Sequence, residues 1–95
     1  MSLERVVITG LGAITPLGNS VADSWNQLIE GTSGCANITS FDTTSFRTKF
    51  GCTVKNYNAA NHFDKKELKK LDLFAQYAHI AADEAIKDSK LLEYA

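Results

Sequence analysis

Arg5-Val-Val-Ile-Thr-Gly-Leu-Gly-Ala-Ile-Thr-Pro-Leu-Gly18 opens the chain and decides how the rest is read. Val6 to Thr9 form an apolar, β-branched run that breaks at Gly10. A run of this kind predicts a strand buried on both faces, as in the parallel sheet of an α/β protein. Such a strand needs neighbours on both sides and helices above and below. The remaining residues offer at most one more strand. The sheet for which this segment is suited therefore lies mostly outside the chain, and an incomplete domain is expected.

A strand followed by Gly10-Leu11-Gly12 invites comparison with a dinucleotide-binding turn. That fingerprint requires a third glycine at position 15, where the helix packs closely on the strand. Position 15 is threonine, and Pro16 removes a backbone donor where a phosphate-binding helix should open. No Gly-Lys-Ser/Thr follows, so a P-loop fails as well. Gly10, Gly12 and Gly18 are therefore read as backbone devices, serving positive φ, tight turns and close approach of chain segments.

Composition narrows the function. Ninety-five residues fit one small domain, and a chain of this size hides only roughly 60–65% of its unfolded surface. A net charge of −1 leaves no basic excess to release counterions from phosphates, which argues against nucleic acid as a partner. No apolar run approaches the ~20 residues of a helical membrane span. Glu4 and Arg5 interrupt the start, and no cleavage-type segment follows, so a signal peptide is not expected. A cytoplasmic location, or an organelle interior after import, is the simplest reading. The two cysteines, Cys35 and Cys52, have neither C-x-x-C spacing nor a histidine at ligand spacing, so no metal is expected. A disulfide between them stays open on the sequence, with free thiols expected in a cytosolic setting.

Local patterns place the elements. Ser20-Val21-Ala22-Asp23 is a capping-box pattern, and Val21, Trp25, Leu28 and Ile29 then share a helical face up to Gly31, which predicts a helix over 21–30. Residues 31–47 are rich in Ser, Thr, Gly and Asn, an irregular excursion pinned by Phe41 and Phe46. Phe50, Cys52 and Val54 alternate with Gly51, Thr53 and Lys55, which predicts a strand with one buried face. Residues 56–61 read as a turn cluster. Asp64 with Glu67 opens a short basic helix over about 65–71, and Asp72 starts a longer one to about Asp88. That last helix is apolar over most of its circumference, from Phe74 through Ile86, as expected of a buried helix.

Taken together, these blocks resemble the N-terminal segment of the β-ketoacyl-acyl-carrier-protein synthases, with the type II elongating branch as the best match. The resemblance rests on Arg5-Val-Val-Ile-Thr-Gly-Leu-Gly, on Thr15-Pro16-Leu17-Gly18-Asn19, on Trp25 and on Gly31-Thr32-Ser33-Gly34. It continues through Phe41-Asp42-Thr43, Lys49-Phe50-Gly51 and Lys69-Lys70-Leu71-Asp72 with Phe74, Gln76 and Tyr77. It covers about residues 4–91. It implies an α/β fold class, the N-terminal fragment of a thiolase-like layered αβαβα fold. Residues 1–95 would form part of its first half, and the intact protein would be a homodimer. It also implies an acyltransferase that performs decarboxylative Claisen condensation with malonyl-acyl carrier protein in fatty acid elongation. Substrates would arrive on the carrier's phosphopantetheine arm, and no cofactor, metal or nucleotide would be needed.

The family's cysteine nucleophile and two histidines lie downstream of residue 95, so no catalytic residue is assigned and the 95 residues alone are expected to be inactive. Cys35 lacks the Ala-Cys-Ser/Thr setting and the following helix that would activate a thiol, and is expected to be a packed thiol, as is Cys52. His62 is expected at a surface turn and His79 as a core or interface histidine. Lys66, Lys69 and Lys70 share i, i+3 and i+4 spacing. On the residues alone the favoured reading is a solvated face. The resemblance implies instead a docking surface for the acidic carrier protein, since related enzymes have basic residues there near the channel mouth. Two other readings stand beside the main one: a non-catalytic chain-length subunit of a polyketide system, and a small interaction module for acidic partners.

Overall fold

A computed structural model describes residues 3–94. Helix α1 spans Val21–Ile29. Strands β1 (Cys35–Asn37) and β2 (Phe50–Cys52) pair antiparallel. A 3-10 turn covers Ala59–Asn61, followed by α2 (Lys65–Leu68), α3 (Leu73–Ser89) and α4 (Leu91–Tyr94).

The helix ends follow their caps. Ser20 Oγ accepts the Asp23 amide at 3.1 Å and starts α1. Past its end, Gly31 takes φ +74° and donates to the Leu28 carbonyl, while Thr32 donates to Gln27. This is the paired closure that a left-handed glycine permits. Asp64 Oδ1 accepts the Glu67 amide at 2.8 Å and starts α2. Asp72 stands at the N-cap of α3, and Lys90 ends that helix in the left-handed region at φ +59°. The helix expected over 65–71 is a single turn of regular helix. Its hydrogen bonding runs on to Leu71 through donors to the Glu67 carbonyl.

Four expectations are corrected. Val6 to Thr9 join no ladder among the described residues, and Val6 and Ile8 are 92% and 81% exposed. A strand exists only through its neighbours' donors and acceptors, and nothing among the described residues supplies them. Residues 31–47 are not wholly irregular. They contain β1, whose pairs are Cys35 with Cys52, Ala36 with Gly51 and Asn37 with Phe50. The ladder leaves Phe50 and Cys52 exposed, so the expected buried face of β2 is absent. Phe41 and Phe46, expected to pin the excursion, pack edge-on against one another with centroids 5.9 Å apart and remain 55% exposed.

Helix α3 is covered on one side only. Ala75, Gln76, Ile80, Ala81, Glu84 and Ala85 are wholly or partly covered, whereas Phe74, Ala78, Ala82 and Ile86, spaced four apart, are exposed. The expected burial around its circumference is therefore not realised by the described residues. No apolar side chain among them is fully buried. The radius of gyration, 17.3 Å, exceeds the ~13 Å of a compact 100-residue domain.

Close approach does organise the covered side. Gly10 lies against the backbone of Ala85 and Ser89, and Gly12 against Ala81, so that a Cβ on Gly12 would overlap the Ala81 carbonyl oxygen. Positive φ occurs at Gly31 and at no other described glycine. Gly10, Gly12 and Gly18 thus serve close approach, without the left-handed backbone also expected of them. Between Gly12 and α1, Thr15 and Gly18 exchange both backbone hydrogen bonds around Pro16, the residue type favoured at the second position of such turns. The Lys55 ammonium ties three segments by donating to the carbonyls of Pro16, Gly34 and Thr53.

Candidate functional site

The glycine segment is held to α3 by two carboxylates one turn apart. Asp88 Oδ2 accepts the Leu11 amide at 3.0 Å. Glu84 accepts the Ala13 amide at 2.9 Å and, through both oxygens, the Val21 amide at 3.1 and 3.2 Å. Val21 is the first residue of α1, so the Glu84 charge also sits at the positive end of that helix's dipole. Neither carboxylate stands out in the sequence, where both read as the polar face of α3.

The predicted docking lysines stand at the other end of α3. Lys66 is within α2, Lys69 is its C-cap and Lys70 follows in the hydrogen-bonded turn. All three are exposed. Among the described residues the only ion pair is Lys87–Asp83, on the surface of α3.

A buried glutamine fixes this basic turn to α3. Gln76, 8% exposed, donates from Nε2 to the Leu71 carbonyl at 3.0 Å. Its Oε1 accepts the Tyr57 hydroxyl at 2.7 Å. Tyr57 packs edge-on against Tyr77 at 5.1 Å and stacks with His62 at 6.0 Å. Burial, and secondly Tyr77, raise the Tyr57 hydroxyl above the ordinary phenol range. Phe63 in turn meets His79 edge-on at 6.0 Å. His62 is exposed, as expected of a helix-entry turn. His79 is also exposed, so of the core and interface placements expected of it the core one is not found among the described residues. The Gln76 anchor was missed as a support for the lysines. Its signal is an amide between Ala75 and Tyr77 in an otherwise apolar helix.

Two open grooves flank α1. The larger, about 1040 Å³, is walled by Trp25, Phe63, His79 and Ile80, with Asp83, Glu84 and Asp88 along α3. The smaller, about 460 Å³, is almost wholly apolar and is lined by Pro16, Leu17, Trp25, Leu28 and Cys52. The expectation of free, packed thiols is corrected. Cys35 and Cys52 are exposed, directly opposed in the ladder with Cα atoms 4.3 Å apart, and joined by a disulfide. The register brings them together, and that register could not be read from a spacing of 17 residues.

Residues 3–94 match the model of the β-ketoacyl synthase N-terminal domain, and the chain belongs to that family. Among its relatives is the 3-oxoacyl-[acyl-carrier-protein] synthase 2 of Vibrio harveyi, 46% identical over 91 residues, which are 96% of this chain and 22% of that protein. The protein of the same name from Staphylococcus aureus (strain COL) is 44% identical over 88 residues, covering 93% of this chain and 21% of the relative. The solved structure of the ishigamide ketosynthase/chain length factor superposes with a TM-score of 0.82 at 32% identity, covering 94% of this chain and 22% of the other. The chain thus spans about a fifth of the length of the relatives it matches. The fold class read from the sequence, the N-terminal part of a thiolase-like α/β fold, agrees with the family and with this structural relative.

Proposed function

We propose that the protein carrying this segment is a 3-oxoacyl-acyl-carrier-protein synthase. It would join an acyl chain to a malonyl unit held on acyl carrier protein, with loss of carbon dioxide, in fatty acid elongation. The observation that carries this reading is identity of 44–46% to synthases of that name across nearly the whole chain. Residues 1–95 would belong to the first thiolase-like half of a homodimer in the cytoplasm. The nucleophile and its histidines would lie outside this chain. The reaction would need no bound cofactor, since the carrier's phosphopantetheine arm delivers both substrates.

Within that reaction the segment's own contribution is docking. Lys66, Lys69 and Lys70 are exposed on a turn that Gln76 and Tyr57 hold in place. An acidic carrier protein would be steered there by charge complementarity, which speeds encounter more than it deepens affinity. In the full-length protein, Lys66→Glu with Lys69→Glu is expected to raise KM for carrier-bound substrate about tenfold or more at low salt, less at high salt, with kcat nearly unchanged. An unchanged KM would remove the docking assignment. Formation of a 3-oxoacyl product from acyl- and malonyl-carrier substrates tests the activity itself.

One observation favours a second reading. The structural relative is a ketosynthase/chain length factor. A non-catalytic subunit of that type would share this segment and lack the nucleophile. An Ala-Cys-Ser/Thr sequence further along the gene, with condensation activity, separates the two.

A further inference from the structure

We propose that Cys35 and Cys52 form a reversible dithiol–disulfide couple, a redox-modification site that fastens the two ends of the 35–52 excursion beside α1. Three observations carry it. The two residues are each other's partners in the β1–β2 ladder, with Cα atoms 4.3 Å apart, so the register sets the two sulfurs side by side. Both residues are exposed among the described residues, where no side chain covers the pair from solvent. The ladder between them has only three residue pairs, so the covalent link is a large part of what holds the excursion closed.

The proposal rests on the cytoplasmic reading above. In a reducing compartment a disulfide is usually transient and serves sensing or catalysis, and exposed ones are the labile class. The neighbouring structure gives the couple something to act on. Cys52 lines the apolar groove with Leu17, Trp25 and Leu28. Gly34, just before Cys35, abuts Pro16 so closely that a Cβ there would come within 2.8 Å of the proline side chain. Closing the couple therefore braces the wall of that groove, and opening it leaves the wall to the three residue pairs, the Ile38–Lys49 hydrogen bond and the Lys55 bonds to Pro16 and Gly34.

The oxidant is a low-molecular-weight disulfide such as glutathione disulfide. One protein thiolate attacks it, forming a mixed disulfide and releasing one glutathione thiolate. The second protein thiolate then attacks the protein sulfur of that mixed disulfide and releases the second glutathione. Two protein thiols are oxidised and lose two protons in total, while one glutathione disulfide is reduced to two thiols.

The test uses the full-length protein equilibrated across glutathione buffers from reducing to oxidising, quenched in acid, alkylated with iodoacetamide and digested with trypsin. Cleavage after Arg5, Arg47, Lys49 and Lys55 puts the two cysteines on separate peptides, 6–47 and 50–55. The expected result is loss of both alkylation sites together, with a single joined species appearing as the buffer becomes oxidising and disappearing on return. Hydrogen exchange at the Ile38 amide, which donates to Lys49 at 2.9 Å, should slow on oxidation. The Cys35→Ser variant should leave Cys52 as a mixed disulfide with glutathione and give no joined species. Separate glutathionylation of each cysteine in the natural sequence, or a joined species that survives the most reducing buffer, overturns the proposal. Product formation by the reduced protein is read separately, so failure of the synthase reading and failure of the couple remain distinguishable.

Discussion

At Glu84 a single carboxylate receives the amides of Ala13 and Val21, joining the end of the glycine segment, the start of α1 and the middle of α3. Hydrogen bonds to a charged acceptor are stronger than neutral ones, and losing the acceptor strands two donors at once. Glu84→Ala in the full-length protein is therefore expected to lower unfolding free energy by about 2–3 kcal/mol, and Glu84→Gln, which keeps one acceptor, by about 1 kcal/mol. Denaturant midpoints measure both; a Glu84→Gln midpoint equal to that of the natural sequence would contradict the charge argument, and equal midpoints for the two variants would show that a neutral acceptor rescues neither amide. At this scale the sequence was partly legible. Gly10 and Gly12 could be read as points of close approach because only a residue without Cβ permits it. Glu84 and Asp88 could not, because nothing local distinguishes a helix carboxylate that meets water from one that meets amides 63 to 77 residues away.

Among the elements, α2 shows how a short helix depends on a neighbour. Four residues cannot hold themselves helical in water, so Asp64 caps one end and the Gln76 amide grips the Leu71 carbonyl beyond the other. Tyr57 orients that amide with its hydroxyl proton. The folded chain raises the Tyr57 pKa, first by burial and then through Tyr77, so the neutral phenol is favoured by folding. The contribution is complete below the unfolded value near 10 and is lost as pH climbs through the higher folded value. Tyr57→Phe should cost about 1–2 kcal/mol at pH 8. It should also be less destabilised than the natural sequence between pH 9 and 11, as read by denaturant unfolding at each pH. A parallel decline in both proteins would show that the hydroxyl is not responsible. Caps made the helices legible from Ser20, Gly31 and Asp64. Strand β1 was not legible, because Cys35-Ala36-Asn37 has no alternation and acquires its conformation only from β2.

For the molecule as a whole, the apolar residues outnumber the places found for them. Val6 to Ile8, Leu11, Trp25 and the Phe74-to-Ile86 side of α3 are all exposed, and no described apolar side chain is fully buried. Val6 to Thr9 and the apolar helix were read as needing partners on several sides, and the described residues do not supply them. A stand-alone interaction module is poorly served by this arrangement, since burial of apolar surface is the dominant favourable term in folding. The isolated 95 residues are expected to melt without a cooperative transition, and a sharp calorimetric peak with matching van't Hoff enthalpy would refute that. The same exposed surfaces have a consequence during synthesis. The relatives are more than four times as long as the stretch they share with this chain, and translation proceeds at roughly 5–20 residues per second. In a protein of that length, this segment would wait tens of seconds outside the ribosome before its covering strands and helices emerged, and through that interval it would be a client for the chaperones that shield nascent chains.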